Sequence, residues 1–294
     1  MGLLDTLRFI VHHPLNQGHP GRAVGRFVAW QIRSRIFPGP VIVPFVNGAV
    51  LSVERGMHGA TQNIYCGLHD FEMMSFLLHL LRPEDTFVDI GANVGSYTIL
   101  ASAAVGARTE AFEPNPESYR YLAKNIDVNR IQERVNAHMA GAGAEPGTLR
   151  FAAAGTGTHV SRNTNNGEPC FEAPILTLDD CLLGVHPVAI KIDVEGFECA
   201  VFAGADRILK DSSLWVVITE ENSESQQFGY SVDQARKMLL NYGFTRAVYD
   251  PFTRQLLADH EEQPSGTALY IRNPTALQER LSSAPAFQVK GHSL

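Results

Sequence analysis

Phe87-Val88-Asp89-Ile90-Gly91-Ala92-Asn93-Val94-Gly95 is the stretch that decides how this chain folds. Thr86–Ile90 reads as a short apolar strand, and a helix over Val94–Ala104 follows the first glycine almost at once. In open α/β sheets, ligands bind beyond the carboxyl ends of the strands, where this turn sits. Gly91 permits a turn and a close backbone approach, Gly95 lets the helix pack tightly, and the helix N-terminus offers free N–H groups to a carboxylate. Asp89 is placed to complement an ammonium group, directly or through water. Taken alone, the turn reads as a plain strand-to-helix connection whose glycines serve geometry.

The next strand changes that reading. Thr109–Phe112 ends at Glu113, 24 positions after Asp89, where an acidic side chain can accept both hydroxyl hydrogens of a ribose. The glycine spacing is G-x-x-x-G and lacks the G-x-G-x-x-G turn of dinucleotide binders, which puts a nicotinamide oxidoreductase behind other nucleoside-bearing cofactors. Strand and helix then keep alternating: helix Glu117–Val128, strand Val135–His138, strand Val188–Ile192, helix Val201–Leu209, strand Leu214–Thr219 and helix Val232–Asn241. Phe244–Tyr249 and Ala268–Arg272 read as terminal strands separated by a long loop. Upstream, Phe71, Met74, Leu77, Leu78 and Leu81 recur with helical period until Arg82-Pro83. Such repetition predicts an α/β fold with a mostly parallel sheet covered by helices on both faces. Residues 61–294 are expected to form this domain. Residues 1–60, punctuated by Pro14, Pro20-Gly21 and Pro38-Gly39-Pro40, read as an extension of helix and hairpin packed on it, the hairpin turning at Asn47-Gly48.

Three segments together resemble a known family. Phe87 to Thr98, Ala111-Phe112-Glu113-Pro114-Asn115-Pro116, and Ile190-Lys191-Ile192-Asp193-Val194-Glu195-Gly196-Phe197-Glu198 match, in order and spacing, the FkbM family of S-adenosylmethionine-dependent methyltransferases over about residues 60 to 272. The resemblance implies a Rossmann-like, seven-stranded methyltransferase sheet and, by motif position, cofactor roles for Asp89, Gly91, Asn93 and Glu113. It also implies O-methylation of a hydroxyl on a sugar, glycolipid or secondary metabolite. Family members commonly carry a Tyr-Glu pair before the first helix; this chain has His69-Asp70 there.

Methyl transfer is an in-line displacement at a sulfonium, so the protein must align a nucleophile and manage its proton. Asp193 and Glu195 end one strand; Glu220 and Glu221, followed by Asn222, end the next, which concentrates carboxylates at one rim of the sheet. Asp193 is expected to bind cofactor or substrate, with Glu195 or Glu220 as the proton acceptor; the alternative is that these acids cap the following helix or pair with Lys191. His159, in the Gly-, Asn-, Thr- and Ser-rich segment Ala152–Pro174, is a further candidate base. That segment reads either as a mobile loop over the site or as surface decoration. Phe71, Tyr97, Phe197 and Phe228 are candidate pocket walls. No metal site is expected among the acids.

Composition sets the outer limits. The 294 residues are 45% hydrophobic and 19% charged, an ordinary globular balance, with 24 Lys and Arg against 31 Asp and Glu. The net charge of −7 and the absence of a long basic block argue against a nucleic-acid partner. The Arg22–Arg35 stretch, with Val24, Phe27, Val28, Ile32 and Ile36, reads as an amphipathic helix with a solvated face rather than as an anion or membrane-surface site. Cys66, Cys170, Cys181 and Cys199 form no C-x-x-C pair, which fits a reduced, cytoplasmic setting. Asp5 and Arg8 interrupt the apolar start, and no run reaches the roughly 18 apolar residues of an integral membrane segment. The partner expected is a small-molecule or glycan acceptor with a free hydroxyl. The competing reading is a catalytically silent cofactor-binding or scaffold protein, against which the set Asp193, Glu195 and Glu220 argues.

Overall fold

The computed structural model describes residues 2–154, 157–160, 170–221, 223–231, 233–259 and 266–294. The chain enters through helices α1 (Leu3–His12) and α2 (Pro20–Ile36), hairpin strands β1 (Val41–Pro44) and β2 (Val50–Val53), and helices α3 (His58–Cys66) and α4 (Phe71–Leu80). The alternating part runs β3 (Thr86–Ile90), α5 (Ser96–Ile99), β4 (Arg108–Phe112), α6 (Pro116–Asn129) and β5 (Val135–His138). Strands β6 (Gly141–Ala142), β7 (Gly147–Ala154), β8 (Gly157–Val160) and β9 (Cys170–Leu176) follow, with α7 (Leu178–Cys181) after them. The chain continues through β10 (Ala189–Ile192), α8 (Glu198–Ala203), α9 (Asp206–Lys210), β11 (Val216–Glu221), α10 (Gln234–Asn241), β12 (Thr245–Asp250), β13 (Gln255–Ala258), β14 (Gly266–Ile271) and α11 (Pro274–Ser282).

The described strands of the main sheet lie in the order β13-β12-β14-β11-β10-β3-β4-β5. From β5 to β11 every pairing is parallel, and β14 then inserts antiparallel between β11 and β12. The expected seven strands are present, in a Rossmann-like sheet with helices on both faces. An eighth, β13, lies inside what the sequence suggested was a long loop and pairs antiparallel with β12. The chain steps outward from β3 to β5 and returns to β10 on the other side of β3. The crevice between β3 and β10 is therefore the topological switch point, the place where such sheets bind ligands.

Alternation along each strand assigns its side chains to two cores. Phe87 of β3 joins Phe76 and Leu77 of α4 on one face, while Val88 and Ile90 join Phe202 and Ile208 on the other. A fully buried side chain of this size contributes about 1.5–3 kcal/mol, so these layers fix the register. The third core packs Ile10, Phe27, Trp30 and Leu51 of the first 60 residues against Ala92, Val94 and Ile99. The opening segment is thus anchored directly beneath the strand-to-helix turn.

Local detail departs from the sequence reading in four places. The helix after β3 begins at Ser96 and widens into a π-helical stretch over Leu100–Val105, ended by Gly106 at φ 94°. The helix expected over Val201–Leu209 is two helices, broken at Gly204, where a Cβ would overlap the carbonyl oxygen of Gly143. Much of Ala152–Pro174 belongs to a separate four-stranded sheet, ordered β6-β9-β7-β8; residues 155–156 and 161–169 lie outside the described ones, as does Asn222. Finally, α2 turns Ala23, Phe27, Trp30 and Ser34 inward and leaves Val28, Ile32 and Ile36 exposed, so its solvent face is more apolar than expected. Among the described residues no helix is long and apolar enough to cross a membrane.

Candidate functional site

Gly91 takes a φ of 76°, and a Cβ there would overlap the carbonyl oxygen of Asp193. The close approach that requires glycine is therefore made by the next strand's own loop. The backbone N–H of Asp193 completes it by donating to the carbonyl of Ile90 at 3.1 Å. Gly95 stands at φ 94°, a left-handed conformation that favours glycine, and a Cβ there would press on the side-chain tip of Leu122 of α6.

Glu113 is almost fully buried at the end of β4. Its Oε2 accepts the backbone N–H of Asn93 at 2.7 Å, and its Oε1 accepts that of Asn115 at 2.8 Å. Asn93 reaches this position in the left-handed region, at φ 52°. Burial pushes the Glu113 carboxyl up to about 7 despite these two bonds. Each oxygen keeps a lone pair, and Glu113 lines a cleft between the strand ends and the small sheet. Gly91, Phe112, Phe151, His159, Asp193 and Glu195 are among its walls. His159 thus lies over this cleft, while Phe197 joins it from the other rim and meets Phe228 edge-on at 5.2 Å.

Asp89 is buried one residue before the end of β3. Its Oδ2 accepts from Thr98 Oγ1 at 2.7 Å, whereas its Oδ1 has no hydrogen-bond partner among the described residues. Burial raises its pKa, and nearby Lys191 opposes that rise. The register explains the neighbour, since Lys191 stands opposite Asp89 across the β3–β10 pairing. Lys191 Nζ binds Asp193 Oδ2 at 2.9 Å and lies 4.8 Å from the centre of the Tyr97 ring. Burial opposes its charge, but Asp193 and Asp89 outweigh that and hold the ammonium above its usual range.

A second cleft, of about 250 Å³, also borders Asp193. His69, Asp70, Tyr97, Lys191, Glu220 and Thr267 line it with Asp193. The Tyr97 hydroxyl donates to Asp70 Oδ2. Asn63 fixes His69: its amide nitrogen donates to the Gly59 carbonyl at 3.0 Å, so its Oδ1 must accept both the His69 N–H at 2.9 Å and Nδ1–H at 3.2 Å. The proton is thereby assigned to Nδ1 and the lone pair to Nε2. Burial and nearby Lys191 hold this imidazole down to about 4, so it is neutral at pH 7.

The candidate acids separate along this line. Asp193, nearly half exposed, borders both clefts. Glu195 borders the first only, and burial followed by the surrounding carboxylates, Asp193 foremost, pushes it up to about 7. Glu220 borders the second. Its neighbour Glu221 points to the other face of β11, where it takes the Tyr270 hydroxyl and pairs with buried Arg246 at 3.4 Å. Glu198 serves the loop itself, accepting the Gly196 N–H at 3.1 Å. Among the described residues no cluster of His, Cys, Asp and Glu could hold a metal ion. Tyr97 lines the second cleft as one of the candidate pocket walls, whereas sequence reasoning left His69 and Asp70 without a role. The signal for that pair was its place immediately before the helix leading into β3, where the family commonly carries Tyr-Glu.

Residues 89–246 match the family model described as the methyltransferase FkbM domain. The chain belongs to the FkbM methyltransferase family. This FkbM-family chain is 26% identical over 156 residues to the hexuronic acid methyltransferase AglP of Haloferax volcanii, covering 50% of this chain and 60% of that one. A shorter match, 39% over 61 residues, joins it to a tRNA (guanine(37)-N(1))-methyltransferase of Coprinopsis cinerea, covering 21% of this chain and 13% of that protein. The match thus spans less than two thirds of either curated relative. Among solved structures, an FkbM methyltransferase from Methylobacillus flagellatus aligns with a TM-score of 0.45 at 17% identity, over 65% of this chain and 44% of that one.

Proposed function

We propose that this protein is an S-adenosylmethionine-dependent methyltransferase acting on a hydroxyl of a sugar, glycolipid or related metabolite, with residues 61–294 as the catalytic domain and 1–60 as its extension. The observation that carries this reading is the meeting of two clefts at Asp193, one ending on Glu113 and the other on His69 and Glu220.

The first cleft has the donor set for such a cofactor. Glu113 retains a lone pair on each oxygen for two ribose hydroxyls, its orientation already fixed by two backbone bonds. Asp89 Oδ1, buried and unpartnered among the described residues, suits an amino-acid ammonium. Gly91 and Asn93 shape the turn between these two carboxylates, and Phe112, Phe151 and Val160 supply apolar wall for a base. When bound, S-adenosylmethionine supplies an electrophilic methyl on a positively charged sulfur.

What remains for the chain is alignment and one proton. The Lys191 bond holds the Asp193 carboxylate at the junction, where negative charge suits a sulfonium. The acceptor hydroxyl occupies the second cleft. Neutral His69 Nε2 positions the acceptor there by accepting a hydrogen bond from a neighbouring hydroxyl of the same molecule, and Glu220 takes the proton of the reacting hydroxyl as its oxygen bonds to the methyl carbon and the sulfur leaves as the neutral thioether. Glu195, bordering the other cleft, is assigned to the cofactor side. The AglP match makes a sugar acid the first acceptor to test.

Thermal unfolding with S-adenosylhomocysteine or NAD, followed by transfer of labelled methyl to a panel of hexuronic acid glycosides, tests the reading. Stabilisation by S-adenosylhomocysteine alone and label on a hydroxyl oxygen are expected. Stabilisation by NAD alone would overturn the cofactor assignment. Cofactor binding without transfer to any hydroxylated acceptor would leave the silent-protein reading in its place.

A further inference from the structure

Helix α2 carries two apolar stripes. Ala23, Phe27, Trp30 and Ser34 face the core. Val28, Ile32 and Ile36, spaced four residues apart, run along the opposite side and are exposed. At 3.6 residues per turn, Arg35 falls on one flank of that outer stripe and Arg22 and Arg33 on the other, all three exposed. The patch extends past the helix. Phe37 follows it, 5.9 Å from the Arg33 guanidinium, and Leu3 of α1 lines one groove with Arg35 and Arg55. Leu3, Leu4, Val28, Ile32, Ile36 and Phe37 are between 46% and 80% exposed, a concentration of large apolar side chains at the surface of α1 and α2.

Charge points to what covers it. Residues 1–60 hold six arginines against Asp5 and Glu54, in a chain whose total is 24 basic and 31 acidic residues. One of the six, Arg26, turns inward to the Tyr65 carbonyl and Asn16. The other five are exposed, three of them bordering the apolar stripe of α2. A second copy docked isologously would set arginines against arginines. An anionic lipid surface satisfies both features: the apolar stripe enters the acyl boundary while the flanking guanidinium groups stay with the headgroup phosphates.

We infer that the α1–α2 face docks the protein peripherally on an anionic bilayer surface, without crossing it. On another side of α1, Arg8 and Phe9 share a groove with His69 and Asp70, which also line the second cleft.

The test is co-sedimentation of the full chain with vesicles of equal parts phosphatidylglycerol and phosphatidylcholine, and with vesicles of phosphatidylcholine alone. Strong partition to the anionic vesicles that weakens as salt is raised is expected, with little on the neutral ones. Ile32→Ser with Ile36→Ser should lower that partition about tenfold. Arg33→Glu with Arg35→Glu should remove its salt-sensitive part. These side chains face solvent, so unfolding temperature and S-adenosylhomocysteine affinity should stay unchanged, which separates this test from that of the cofactor. Equal partition to both vesicle types, partition untouched by the isoleucine changes, or no partition would overturn the inference. So would a wild-type dimer that the isoleucine changes convert to monomer without any vesicle binding.

Discussion

The two clefts that meet at Asp193 are built in different ways. The turn and carboxylate that shape the first come from one run of chain, with Gly91, Asn93 and Glu113 within 23 residues and the Asn93 N–H donating directly to Glu113, while the small sheet and the Asp193 loop add its other walls. The second gathers His69 and Asp70, Tyr97, Lys191, Glu220 and Thr267 from five separate segments. A locally built site is rigid through its own backbone, whereas a dispersed one depends on the sheet to hold its pieces in register. The comparison predicts that changes to the shape of the junction disable both clefts, that a change of its charge alone spares cofactor binding, and that changes farther along either cleft leave the other intact.

Gly91→Ala should have the largest effect. Its Cβ would have to displace the Asp193 carbonyl, and the φ of 76° already disfavours alanine. A stability loss of about 2–4 kcal/mol is expected, with both cofactor binding and transfer abolished in whatever folds. A variant that bound S-adenosylhomocysteine normally would show that the two loops need not touch. Asp193→Asn comes next. It keeps the shape of the junction and removes the charge, so kcat should fall about 100-fold or more while S-adenosylhomocysteine, which lacks the positive sulfur, binds nearly as before. Equal losses in both would mean that Asp193 serves only to hold Lys191.

This difference in construction also explains what could be read from the sequence. The βα alternation, the turn and Glu113 were legible because each is a local pattern whose period or spacing carries the physics. Glu220 and Glu221 were harder to separate as neighbours, yet strand alternation alone sends one to the cleft and the other to Tyr270 and Arg246. The fixed tautomer of His69 was out of reach, because it depends on Asn63 being held by the Gly59 carbonyl one turn earlier in α3. The Ala152–Pro174 segment misled for a related reason. Its turn-rich composition obscured strands β7 to β9, whose pairing is with each other and with β6 rather than with the main sheet. On α2 the apolar residues were visible, but only packing shows which of its two apolar stripes the core accepts.

Glu113→Gln should affect the first cleft alone, raising the Kd for S-adenosylhomocysteine between about 10- and 100-fold, the loss expected for hydrogen bonds to a charged acceptor. The wild type should bind more tightly as pH rises from 6 to 8, because the carboxyl held at about 7 must ionise to accept both ribose hydroxyls. The stability of the unliganded protein should run the other way. A folded-state pKa above the ordinary 4.5 means that the native state holds the proton more tightly. Stability therefore declines as pH rises from about 4.5 to about 7 and levels off above it. In Glu113→Gln the binding curve should be flat and the stability decline shallower; an unchanged binding curve would place the titrating group elsewhere.

His69 gives the smallest and most selective change. Asparagine can supply an amide N–H where Nδ1–H stands, preserving the bond to Asn63 while deleting Nε2; glutamine can reach the Nε2 position with a carbonyl oxygen. If Nε2 holds a neighbouring hydroxyl of the acceptor, His69→Asn should lower kcat/KM about tenfold with the cofactor Kd unchanged, and His69→Gln should recover most of that loss. The pH–rate profile above pH 5 should not move in either variant, because the imidazole is held down to about 4 and is already neutral there. A shifted profile would make His69 a proton acceptor in its own right and displace Glu220 from that role. Equal losses in both variants, accompanied by a lower unfolding temperature, would instead reduce His69 to a packing contact that ties α3 to the rim of the second cleft.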